Sequence, residues 1–167
     1  MAIRQAEIRT ERPLTIRVKY HDAKLPEIKA AHESEWIDLC AAEDCKVPAL
    51  GLKMISLGVS IELPEGYEAI MAPRSSTFKN FHIVAANSIG VIDNAYKGDN
   101  DIWHFPAVGM NSEFDPNGGL VLLPSVIHKG DRICQFRIQK CQPELDLRKV
   151  DFLGNDDRNG LGSTGKR

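Results

Sequence analysis

The chain has 167 residues, 43% hydrophobic and 26% charged, with a formal net charge of −2. That size suits one domain with a real core and is short for two, and the composition is ordinary for a globular protein. The small negative charge excludes broad electrostatic attraction to nucleic acid or an acidic membrane, so an anionic ligand has to be held by local donors, with or without a metal ion. The first residues carry no apolar run and no secretory signature, and no segment approaches the length of a membrane span, which predicts a cytoplasmic protein. Cys40, Cys45, Cys134 and Cys141 form no Cys-x-x-Cys pair and have no histidine at zinc-finger spacing. Reduced, mostly buried thiols are expected, because a structural disulfide goes with export.

In chain order, residues 27–35 carry a short helical signal. Apolar residues then alternate from 57 to 63: Leu57, Val59, Ile61 and Leu63 enclose Gly58, Ser60 and Glu62, which predicts one half-buried strand. Leu63-Pro64-Glu65-Gly66 reads as a type I turn with proline second and glycine fourth, and residues 67–72 return as the next strand. Ser75-Ser76-Thr77-Phe78-Lys79 predicts one helical turn capped by Ser75 or Ser76. Short apolar runs follow at 83–86, 91–92, 120–123 and 133–138. Residues 110–119, Met-Asn-Ser-Glu-Phe-Asp-Pro-Asn-Gly-Gly, predict a mobile surface loop. The expected fold is all-β, a sandwich or barrel with at most one or two short helices. It occupies residues 1–152, and a flexible glycine-rich tail occupies 153–167.

The segment with most chemical content is Gly90-Val91-Ile92-Asp93-Asn94-Ala95-Tyr96-Lys97-Gly98. Asn94-Ala95 reads as the turn of a hairpin, and the flanking glycines suit a tight bend or close approach to a ligand. A lone turn aspartate is ordinarily a solvated surface group. Set between aliphatic residues and Tyr96, Asp93 also suits a general base that orients a water. Arg74-Ser75-Ser76 joins a cation and two hydroxyls at a helix start, which is either a plain cap or an anion site. Gln135 is either the polar member of an alternating strand or a phosphate donor. The tail Gly160-Leu161-Gly162-Ser163-Thr164-Gly165, with Arg158 before it, offers backbone amides and hydroxyls but lacks the spacing of a P-loop.

Taken in order, these segments resemble the five motifs of the trimeric dUTP pyrophosphatases (dUTPases). Trp36-Ile37-Asp38-Leu39-Cys40-Ala41-Ala42 is similar to the first, residues 72–76 to the second and 87–98 to the third. Residues 129–136 resemble the fourth and 158–165 the fifth. The resemblance implies a jelly-roll-like subunit, a homotrimer with shared active sites, and Mg²⁺-assisted hydrolysis of dUTP to dUMP and pyrophosphate. Such a reaction limits dUTP and supplies dUMP for thymidylate synthesis. It implies that Asp93 orients the attacking water, that Arg74, Ser75 and Gln135 hold phosphates, that Ser76 belongs to the substrate-binding set, and that Asp38 reaches the metal through water. Asn87 and the hairpin backbone at Gly90 and Ile92 would read uracil. Tyr96 would pack on deoxyribose, with Lys97 beside it. Arg158, Gly162, Ser163 and Thr164 would close over the phosphates of a neighbouring subunit's site.

Leu161 stands where the family usually places a phenylalanine over the base. That departure, with Asp101-Ile102-Trp103-His104-Phe105, resembles the branch of Gram-positive bacteria and their prophages. His104 and Phe105 are therefore candidates for a compensating ring, and Trp103 is less favoured, since a large indole more often belongs to the core or a subunit interface. A dCTP deaminase shares the fold, but the glutamate that family carries after its hairpin is missing from residues 98–103. A third reading is a nucleotide-responsive module that meets a protein partner through residues 110–119.

Overall fold

The computed structural model describes residues 13–29 and 35–157. The strands before the helix are β1 (Arg17–Tyr20), β2 (Ile37–Cys40), β3 (Cys45–Val47), β4 (Leu52–Ser56), β5 (Val59–Glu62) and β6 (Tyr67–Pro73). The single described helix is α1 (Thr77–Phe81). After it come β7 (Ile83–Ala85), β8 (Gly90–Ile92), β9 (His104–Gly109), β10 (Ser112–Phe114), β11 (Leu120–Leu122), β12 (Ser125–Ile127) and β13 (Arg132–Lys140). A four-stranded sheet in the order β2-β13-β6-β8 and a three-stranded sheet in the order β4-β9-β7 form the body. The pairs β1-β5 and β12-β3 extend it. The all-β, jelly-roll-like expectation is borne out.

The core lies where alternate residues of these strands meet. Ile55, Ile61, Ile133, Phe105 and Phe136 are all at most 2% exposed. Trp103 is buried edge-on against Phe136, with ring centroids 5.2 Å apart. Side chains of this size each contribute roughly 1.5–3 kcal/mol by leaving water. No described cysteine is bonded to another. Burial pushes the Cys134 thiol far above its ordinary range, so it packs as an inert apolar group.

The alternation at 57–63 picks out buried apolar residues, but the half-buried strand it predicts is not observed: Gly58 and Ser60 are buried as well, and the strand is interrupted. Leu57, Val59, Ile61 and Leu63 are all buried, yet the strand breaks at Gly58, whose φ is +65°. A Cβ there would stand 2.4 Å from Leu25 Cδ1 and 2.7 Å from Ala42 Cβ. Leu57 N–H instead donates to the Trp103 carbonyl, and Trp103 N–H donates to that of Val59, both at 2.9 Å.

The turn after β5 also differs from expectation. Tyr67 N–H donates to Pro64 C=O at 3.1 Å, which makes Gly66, at φ +78°, the third residue of a type II turn. Residues 27–29 are not helical, and the rest of that signal falls mainly outside the described residues. Residues 110–119 do not form an unstructured loop. Most of them belong to a β10–β11 hairpin in which Phe114 faces Leu120 and Ser112 faces Leu122. Asp115 builds its tip, with Oδ1 accepting from Asn117 and Gly119 N–H at 2.8 Å each.

Candidate active site

Three strands of the larger sheet assemble a polar row. Gln135 on β13 pairs with Asp38 on β2 and with Ala72 on β6. Two residues beyond Ala72 the chain leaves β6 at Arg74. Thr77, wholly buried, fixes that exit: its hydroxyl accepts from Arg74 N–H at 2.8 Å and donates to Ile133 C=O at 2.9 Å. Ser76 occupies the N-cap position of α1 without a side-chain cap bond, so Thr77 has the anchoring role expected of Ser75 or Ser76.

Arg74 Nε donates to Asp38 Oδ1 at 2.7 Å, and Arg132 Nη1 donates to Asp38 Oδ2 at 3.1 Å. Gln135 Nε2 donates to Pro73 C=O at 3.2 Å. With Ser75 these side chains line one cleft of about 620 Å³. Partial burial of the carboxylate between two guanidiniums strengthens both charge-assisted bonds. Cys40 also lines the cleft, and burial raises its thiol pKa despite nearby Arg132, so the thiol stays protonated.

Arg132 is the site residue that the sequence reading missed. Residues 132 and 135 lie three apart, so a regular strand would point them to opposite faces. The register slips between Arg132 and Cys134: Arg132 stands opposite Cys40 while Cys134 stands opposite Leu39. This bulge adds one residue to β13 and returns Arg132 to the face of Gln135 and Asp38. The Lys129-Gly130-Asp131-Arg132 run was the available signal, but the bulge has no sequence mark.

Asp93 lies elsewhere. It is exposed, its Oδ1 accepts from Ala95 N–H at 2.8 Å, and its carbonyl accepts from Tyr96 N–H at 3.2 Å. Asn94 Nδ2 donates to the carbonyls of Leu63 at 2.9 Å and Pro64 at 2.8 Å, tying this turn to the one after β5. The Tyr96 hydroxyl donates to Ile102 C=O at 3.2 Å, and Lys97 Nζ to Asn94 Oδ1 at 3.2 Å. The expected hairpin is not formed. β8 pairs with β6, and residues 93–103 contain no strand.

Gly90 is buried beneath Met71, whose Cε would stand 3.0 Å from an added Cβ, so its small size serves packing within the sheet. Gly98 does mark a tight bend, its N–H donating to Asp101 Oδ2 at 2.6 Å. Asn87 is exposed, Ile92 half-buried and Ser76 half-buried. None of these three, nor Asp93, Tyr96 or Lys97, lines the Asp38 cleft.

Phe105 cannot cover a base. It is 1% exposed, and its strand position is opposite Ile55 in the core. His104, one residue earlier and half-buried, has Nδ1 2.8 Å from Ile102 C=O. Arg158, Leu161, Gly162, Ser163 and Thr164 lie outside the described residues. Among the described residues no three His, Cys, Asp or Glu side chains converge as a metal cage, and none of the helices is long and apolar enough to cross a membrane.

The family model described as dUTPase matches residues 23–108, more than half of the chain, including both the Asp38 and the Asp93 segments. The chain belongs to the dUTPase family. It is 49% identical over 154 residues to the SPbeta prophage-derived deoxyuridine 5'-triphosphate nucleotidohydrolase of Bacillus subtilis (strain 168), covering 92% of this chain and 100% of that protein. In fold it is similar to a Staphylococcus bacteriophage 80alpha dUTPase mutant with dUpNHpp, at TM-score 0.70 and 21% identity, covering 90% of this chain and 98% of the other. A dUTPase mutant from phage phi11 of S. aureus aligns at TM-score 0.66 and 20% identity, over 84% of this chain and 99% of that one. The latter structure details the coordination of a structural Mg(II) ion. The resemblance to dUTPases of Gram-positive bacteria and their prophages is borne out.

Proposed function

We propose that this chain hydrolyses dUTP to dUMP and pyrophosphate. The observation that carries the reading is the cationic cleft of Asp38, Arg74, Arg132 and Gln135 in a member of the dUTPase family. Asp93 accepts a proton from a water as its oxygen bonds to the α-phosphorus. The bond from that phosphorus to the α,β-bridging oxygen breaks, and pyrophosphate leaves with the freed electron pair. Arg74, Ser75 and Gln135 hold the phosphates and the charge that builds on them. Asn87, Gly90, Ile92, Tyr96 and Lys97 hold the nucleoside end.

Mg²⁺ fits this site as a companion of the triphosphate. Two carboxylates among the described residues, Asp38 and the exposed Glu27, line the cleft without forming a cage, which suits an ion that keeps its waters and takes its other ligands from substrate. Mg²⁺ gives up its waters reluctantly, which favours contact with Asp38 through water. When bound, the ion neutralises phosphate charge.

The working enzyme in this reading is a cytoplasmic homotrimer in which Asp93 serves a neighbour's cleft. Its support is the absence of Asp93 from the cleft of its own chain. Further support comes from Leu147, Phe152 and Leu153, each more than 80% exposed and close together in sequence after β13, a run of apolar groups that a neighbouring chain would cover. The tail, residues 153–167, then completes a third chain's site with Arg158, Leu161, Gly162, Ser163 and Thr164.

A nucleotide panel with Mg²⁺, scored for pyrophosphate release, tests the activity. dUTP is expected to exceed dCTP, dTTP and UTP by about 10⁴-fold, because a site built to bond its base rejects analogues strongly. Ammonia release from dCTP, or comparable turnover of UTP, overturns the reading.

A further inference from the structure

We infer that Arg132 is a second phosphate-binding cation of this site, and that Asp38 is the anion the phosphate chain displaces from Arg74 and Arg132. The inference deepens the dUTP reading and rests on it for the identity of the phosphate chain. Three observations carry it. The bulge in β13 adds a residue whose effect is to turn Arg132 onto the face of Gln135. Asp38 spends one oxygen on each guanidinium, at 2.7 and 3.1 Å. Arg74 is further oriented by the Arg132 carbonyl, 3.4 Å from its Nη1.

Each guanidinium has five N–H donors in a planar fork. Arg132 donates one to Asp38, and its side chain is 60% exposed, so further donors are open to a ligand. Arg74 is more enclosed, at 24%. The carboxylate therefore does two opposed things. It aligns two cations that would otherwise repel each other, and it competes with any incoming anion for their donors. Displaced by phosphate, Asp38 is left with free oxygens facing the phosphate chain, where a hydrated cation can take them up.

The test is pyrophosphate binding by calorimetry on the full chain with excess chelator, so that no divalent ion takes part. Arg132→Ala is expected to weaken binding about tenfold or more, the scale of one lost charge-assisted bond, and Arg132→Lys by less, since charge survives but the fork does not. Asp38→Asn is expected to tighten binding about tenfold, because a competing anion has been removed. A purely structural aspartate predicts the reverse sign. Unchanged binding in Arg132→Ala, or weaker binding in Asp38→Asn, overturns the inference. Thermal unfolding of each variant identifies misfolded protein, and in that case Arg132→Gln and Asp38→Ser are read by the same criteria. Wild-type pyrophosphate release from dUTP with Mg²⁺ is measured alongside. Its failure would sink the dUTP reading alone, since the chelated binding series does not depend on turnover.

Discussion

The Asp38 cleft and the Asp93 turn belong to one chain but are held in different ways. In the cleft, three paired strands set the positions, both carboxylate oxygens are bonded, and Arg74 is fixed through buried Thr77. Around Asp93 there is no strand from 93 to 103, the carboxylate is exposed, and the nearest tie to the rest of the fold is the Asn94 amide on two turn carbonyls, with Trp103 fixed at the far end of the segment. In the proposed reading the cleft is a phosphate grip prepared within one chain, and the base Asp93 is presented outward, where another surface would have to exclude water around it. Binding and chemistry are separable by mutation in such a molecule.

The largest separation is expected from Asp93→Asn, which should lower kcat by about 10²–10⁴-fold, the usual contribution of a general base, with nucleotide affinity near wild type. Equilibrium binding and turnover on the same preparation check it. Mixing that variant with Arg74→Ala after reassembly should recover part of the activity, because some sites then receive both intact residues from different chains. No recovery would place both residues in one chain's site and collapse the division drawn here.

The two candidate rings at the end of the Asp93 segment should part in the same way. Phe105→Ala is expected to cost about 3–5 kcal/mol of stability, as for other buried aromatics, read as a lower Tm. His104→Ala should leave Tm nearly unchanged and raise KM for dUTP if the imidazole covers the base, with Leu161→Ala having less effect on KM. A larger KM effect at Leu161 would give the base to the tail. The smallest effect is expected from Asn94→Ala. Loss of its two bonds to turn carbonyls, together with the exposed Lys97 contact, should lower kcat by at most about 30-fold while chelated pyrophosphate binding stays at wild type, since each carbonyl bond is worth roughly 1 kcal/mol. A change in pyrophosphate binding would show that the two regions are coupled.

Much of this was legible in the chain. The period-two run at 57–63 marked its apolar residues as buried, though not Gly58 and Ser60 between them, the run from 133 to 138 gave the central strand β13, and motif order gave the family. What escaped depended on partners remote in sequence. The break at Gly58 is imposed by Leu25 and Ala42, and the proper role of Thr77 requires Ile133. Asp93 read as the tip of a hairpin because its flanks look like two limbs, but β8 finds its partner in β6. Phe105 looked available because it follows the motif closely, and burial against strands far along the chain removes it. Arg132 was hidden by a single added residue that reverses strand parity.

The β10–β11 hairpin has one more consequence. Leu123 N–H donates to Asn111 C=O at 3.0 Å and Asn111 Nδ2 to Pro124 C=O at 3.2 Å, so the chain is already closed at the hairpin's base. Its two strands pair only with each other. Since closing a longer loop costs only about 0.6 kcal/mol per doubling of length, this stem is a point where lineages can lengthen, shorten or exchange a whole appendage while the barrel beneath keeps its registers.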